Sequence, residues 1–108
     1  MPNYEGIITN FAVGDSIDIV RTITNVPSGQ LIQSALFTVK ALEGLTDSLL
    51  CVSGSINANT VTFALQGADT TQLYPVYPLP YWIEITTTAN RTYTPEKGRI
   101  IAAFGADC

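Results

Sequence analysis

Apolar and polar residues alternate with period two along much of this chain. The clearest stretch is Tyr81 to Thr87. Tyr81, Ile83, Ile85 and Thr87 fall on one face, and Trp82, Glu84 and Thr86 on the other. β-Branched and aromatic residues fill both sets, which predicts a strand with one face in a core. The same alternation predicts a strand over Ile17 to Thr24, with Ile17, Ile19, Arg21 and Ile23 together. Arg21 on that face implies that it meets solvent near its end. Shorter patterns predict strands over Tyr4 to Thr9 (as an edge), Leu31-Ile32, Ala35 to Leu42, Leu49 to Ser53, Val61 to Leu65 and Arg99 to Phe104. The last is expected beside Tyr81 to Thr87 as its antiparallel neighbour.

Turn chemistry separates these stretches. Pro27 and Gly29 predict a turn over 25–30, because Pro fixes its own φ and Gly tolerates a positive one. Gly54 predicts a bulge, and Asn57-Ala58-Asn59-Thr60 a tight hairpin turn. Asp69-Thr70-Thr71 is suited to capping one helical turn. Glu43 to Ser48 and Ala89 to Lys97 read as loops, the second ended by Pro95 and Gly98. Pro75, Pro78 and Pro80 predict that 74–80 is extended, polyproline-like or an edge. No stretch has the length and period of a long helix. Seven to eight short strands, spaced about ten residues apart, predict an all-β antiparallel sandwich. Its 108 residues form one domain, 1–108.

Composition sharpens this picture. Charged residues make up 13% of the chain, about half the usual share. A surface so poor in charge implies that much of it meets another protein. The net charge is −4 and the five cations are scattered along the chain, which argues against nucleic acid as a partner. No apolar run approaches the ~20 residues that span a bilayer, so no membrane partner is expected. Met1 to Glu5 has neither a basic start nor a following apolar core, which predicts synthesis in a cytoplasm. In that compartment Cys51 and Cys108 are expected to stay reduced, with Cys51 as a small buried hydrophobe.

Reactive groups are scarce. There is no histidine, so the commonest general base and zinc ligand is missing. The glycines at 14, 29, 44, 54 and 67 stand singly, so no phosphate loop is formed. Asp15 and Asp18 lack the surroundings of a calcium loop. Glu84 is expected on an outer face near Arg99, not in a catalytic pair. No catalytic residue, metal site or cofactor is therefore predicted. The candidates for recognition are aromatic: Tyr74, Tyr77 and Trp82, with Tyr81 closing the core. Aromatics held among prolines make a rigid patch that loses little entropy on binding.

Four stretches in order carry a resemblance: Gly14-Asp15-Ser16-Ile17-Asp18-Ile19; Leu31 to Lys40; Val61 to Leu65 followed by Asp69-Thr70-Thr71-Gln72-Leu73; and Tyr81 to Ile85 closing with Lys97-Gly98-Arg99-Ile100. Over about residues 5–104 the chain resembles the small immunoglobulin-like modules of tailed-bacteriophage virions, found in baseplate, tail-fibre and head accessory proteins. It departs at Ser34-Ala35, where Gly-Ala is usual, and at Val76 to Pro80, where a simple Pro-Gly turn is usual. The resemblance implies an immunoglobulin-like sandwich, no catalysis, a place in the virion, and other virion proteins and further copies of itself as partners. The alternative from the residues is a carbohydrate- or receptor-binding sandwich using Tyr74, Tyr77 and Trp82 as stacking platforms.

Overall fold

In the computed structural model, which describes residues 5–24 and 26–105, the alternation becomes two sheets with one core. The elements in chain order are β1 (Glu5–Ile8), β2 (Ile17–Thr22), β3 (Ile32–Val39), β4 (Leu50–Ser53), β5 (Ser55–Asn57), β6 (Thr60–Leu65), a single helical turn α1 (Gly67–Thr70), β7 (Leu79–Thr87) and β8 (Thr92–Ile100). The larger sheet runs β1-β8-β7-β3-β4, and the smaller β2-β6-β5. The protein is thus nearly all β, as the pattern implied.

β7 divides its faces as the sequence does. Tyr81, Ile83, Ile85 and Thr87 are buried, while Trp82, Glu84 and Thr86 are only partly covered. Phe37 of β3 lies at the centre, 5.3 Å from the Tyr81 ring and 5.6 Å from that of Phe63 on β6. All three are fully buried, and burying each contributes roughly 2–3 kcal/mol. This trio joins the two sheets.

Several expectations are corrected. The sheets are antiparallel except at one edge, where β1 pairs parallel to β8. β8 begins at Thr92, inside the stretch read as a loop, and ends before Phe104. Pro95 is accommodated because the β7–β8 register shifts between Ile83 and Ile85, and a bulge needs no donor there. Gly54 is not a bulge. It is the point where the chain leaves β4 in one sheet and enters β5 in the other. A Cβ at Gly54 would lie 2.8 Å from the Phe63 ring, so the crossing passes against the core. Cys51 is exposed rather than buried, because Leu50 and Val52 take the inward positions. Cys108 lies outside the described residues.

Local signals explain the connections. Asp69 accepts the Gln66 amide at 2.8 Å, closing the first turn of α1 from within rather than as its N-cap. Thr70, fully buried, accepts the Gly14 amide at 2.9 Å and donates to the Asp15 carbonyl at 2.8 Å. Thus α1 fastens the loop that leads into β2. The β5–β6 hairpin turns through Ala58 and Asn59, with Ala58 at φ 54°. A side chain there is strained, since Cβ crowds the backbone in the left-handed region. Ala58→Gly should therefore stabilise the fold by roughly 0.5–1 kcal/mol. Chemical denaturation would show this as a raised midpoint at unchanged slope; an unchanged or lowered midpoint would mean the turn is unstrained.

Candidate interaction surface

Three loops meet at one end of the two-sheet fold. The loop after β3 is tied to β7 by the Lys40 amide, which donates to the Pro80 carbonyl at 3.1 Å. The turn before β7 is tied to the segment after β8 by the Val76 amide, which donates to the Ala102 carbonyl at 2.6 Å. That segment is held in turn by the Val13 amide on the Ala103 carbonyl at 3.0 Å. Ten large apolar side chains are exposed among the described residues, and six belong to this end: Leu42, Leu45, Tyr74, Val76, Tyr77 and Phe104. Their concentration at one end sets this region apart from the scattered exposure normal for a soluble protein.

The turn itself is strained. Tyr74-Pro75-Val76-Tyr77 closes with the Tyr77 amide on the Tyr74 carbonyl at 3.3 Å. It is therefore a turn and not the extended run that its prolines imply. Pro75 presets the first corner, but the second falls on Val76 at φ 63°, where a β-branched residue costs about 1–3 kcal/mol. The strained Val76 is 58% exposed, so no burial of its own offsets that cost. Tyr74 and Tyr77 stand edge to face with ring centroids 6.3 Å apart.

Beside the turn, a depression of about 420 Å³ is lined by Leu42, Glu43, Tyr77, Pro78, Pro80 and Arg99. A second, of about 600 Å³, continues to the β1 edge past Ile7, Lys97 and Gly98. Glu43 and Arg99 belong to both, joined by an ion pair of 3.0 Å in which each side chain is about half exposed. Arg99 thus pairs with Glu43 and not with Glu84. Glu84 lies on the outer face of the large sheet, beside Leu36 of β3.

The structure brings Tyr74 and Tyr77 together and sets Trp82 apart. Trp82 lies in the outer row Lys97, Trp82, Thr38, Cys51. The ammonium of Lys40 sits 5.5 Å from its ring centre, a cation–π contact that covers part of the indole. Three of the five cations, Lys40, Lys97 and Arg99, therefore gather near one region that their sequence positions do not reveal. Val76, Leu42, Leu45 and Phe104 were missed by sequence reasoning. Leu42 and Leu45 gave a signal, as leucines in or beside a polar loop; the other two gave none.

A different cluster lies between the sheets. Arg21 of β2 donates through Nε to Glu96 Oε1 at 2.9 Å, and the buried Tyr81 hydroxyl donates to Glu96 Oε2 at 2.5 Å. Arg21 is thus half-buried and paired rather than facing solvent at the strand's end. Burial, with the hydrogen bond to Glu96, pushes the Tyr81 phenol well above its usual range. The hydrogen bond to Glu96 raises Arg21 above its usual value, against the opposing effect of burial. This trio joins β2 to the large sheet. It also places a charge on an edge strand, a device that hinders edge-to-edge aggregation.

Among the described residues, no group of three or more His, Cys, Asp or Glu is placed to hold a metal. Among the same residues, no helix is long and apolar enough to cross a membrane. No protein-family model matches the chain, and no curated protein matches it.

Proposed function

We propose that this chain is a non-enzymatic assembly module of a bacteriophage virion, built on an immunoglobulin-like sandwich. The observation that carries the docking role is the gathering of Leu42, Leu45, Tyr74, Val76, Tyr77 and Phe104 at one loop end. Binding residues concentrate on loops held by a rigid scaffold. A strained β-branched turn residue at the same place is the kind of cost that a contact explains.

The strand order supports the immunoglobulin-like reading. Lettered from β2 as B, the chain gives B, E and D in the small sheet and C, F and G in the large one, with β4 added beside C. This is the division that variable-type immunoglobulin domains use. β1 would then lie beside G, and Phe37 would take the central place on strand C. The virion role rests on the resemblance described above, together with a surface suited to docking. The glycan reading is less well supported. Lys40 occupies part of the Trp82 face, and Trp82 is not joined to the tyrosine pair.

Particles whose genome encodes this chain should contain it at fixed copy number, measured by quantitative mass spectrometry of purified virions. Tyr74→Ser with Tyr77→Ser should lower incorporation by on the order of tenfold or more, as expected for aromatic anchors. Purified particles without the chain would refute the proposal.

A further inference from the structure

We propose that the loop end docks against the same end of a second copy of this chain, across a two-fold axis. The inference rests on the docking role proposed above for this surface, and it names the partner. Two observations point to self-association, and a third lowers its cost.

The first is area. The six residues at this end expose on the order of 600 Å² in all, most of it apolar. A stable dimer buries about 800 Å² per partner, and about 65% of a homodimer interface is apolar, near 520 Å². The exposed residues of this end therefore come close to the apolar area that a homodimer of standard size requires.

The second is charge. A two-fold contact brings one patch against itself, so that patch must be complementary to its own image. Lys40, Lys97 and Arg99 stand near Glu43 and Asp47 in and beside the β3–β4 loop, so both signs are present with one positive charge in excess. Arg99 and Glu43 stand 3.0 Å apart within the groove, both half exposed. Two such pairs facing each other form a four-charge cluster, with Arg99 of each copy reaching Glu43 of the other. A chain of net charge −4 would select an unlike partner by its basic charge. A patch carrying both signs side by side is complementary to its own image. Asp15 and Asp69, further round this end, are occupied by the Ala12 and Gln66 backbone amides.

The third is preorganisation. Pro75, the Tyr77 amide on the Tyr74 carbonyl and the Val76 amide on the Ala102 carbonyl hold the aromatic turn in one shape. Such a turn loses little freedom on docking, which lowers the cost of association.

The test uses the whole chain in sedimentation velocity across micromolar concentrations. The wild type should sediment as a dimer in equilibrium with monomer. Arg99→Glu and Glu43→Arg should each raise the dissociation constant on the order of a hundredfold, since each sets like charges together in the contact. Both positions are half exposed, so both variants should fold, which circular dichroism checks. The deciding step mixes the two variants in equal amounts. One then carries two acids and the other two bases, so heterodimers should form with near wild-type affinity. A wild type that stays monomeric, or a mixture no tighter than its components, overturns the proposal. A monomeric wild type that is still found in particles would overturn the self-pairing and leave the assembly role standing. A dimer absent from particles would do the reverse.

Discussion

Replacing Gly98 with alanine should detach β1 from the large sheet and cost the protein about 3 kcal/mol, at the upper end of what overpacking does. β1 and β8 approach so closely at Gly6 and Gly98 that a Cβ on Gly98 would stand 2.0 Å from the Gly6 carbonyl oxygen and 2.6 Å from its nitrogen. These are backbone atoms, so no rotamer change relieves the clash. The strands must separate, and with them goes the parallel pairing of Glu5–Ile8 with Lys97–Ile100. The inward side of this pair needs two glycines for a second reason. A Cβ at Gly6 would lie 2.2 Å from the Tyr81 hydroxyl and 2.9 Å from Glu96 Oε2. The two glycines open the space in which that phenol meets its acceptor. In a domain of this size the melting temperature should fall by on the order of 15 °C. Ile7→Ala, on the same strand at a position 72% exposed, should change it by no more than a degree or two. A Gly98→Ala protein that melts with the wild type would show that β1 contributes nothing to stability.

Local signals in the sequence were legible and long-range ones were not. The faces of β7 were legible because burial there follows simple alternation, and Phe37, Phe63 and Tyr81 all fall on inward positions. The turns at Gly29 and Ala58 were legible because their chemistry lies within four residues. β8 was not, because Thr92 to Lys97 holds a proline that the bulge accommodates, and that bulge depends on β7. The exchange of sheets at Gly54 was hidden for the same reason: a glycine marks close approach but not what approaches. Arg21 looked like a solvent marker because its partner, Glu96, is 75 residues away in sequence. At the loop end, Tyr74 and Tyr77 could be picked out as aromatics among prolines. Phe104 could not, because it joins the patch only through the folded course of three separate loops.

Glu96→Ala should cost on the order of 3 kcal/mol near neutral pH, and Tyr81→Phe should remove most of the fold's alkaline sensitivity. The first follows from what the substitution leaves behind. The Tyr81 hydroxyl is fully buried and would lose its acceptor, which costs about 1–3 kcal/mol. Arg21, two-thirds covered, would lose its counterion, a smaller penalty than for a fully buried charge because solvent still reaches it. The pH dependence follows from the phenol. Its pKa in the folded chain lies above the unfolded value of about 10, raised by burial and by the bond to Glu96. A group raised on folding holds its proton more tightly in the native state. Its contribution is therefore complete below pH ~10 and is lost as pH climbs above that value. Melting temperatures of the wild type should hold level to about pH 10 and then decline, whereas those of Tyr81→Phe should start lower and decline less. Should the phenylalanine variant lose stability above pH 10 as steeply as the wild type, the alkaline loss would belong to other groups. The Arg21–Glu96–Tyr81 trio would then be a contact between the sheets without a part in their titration.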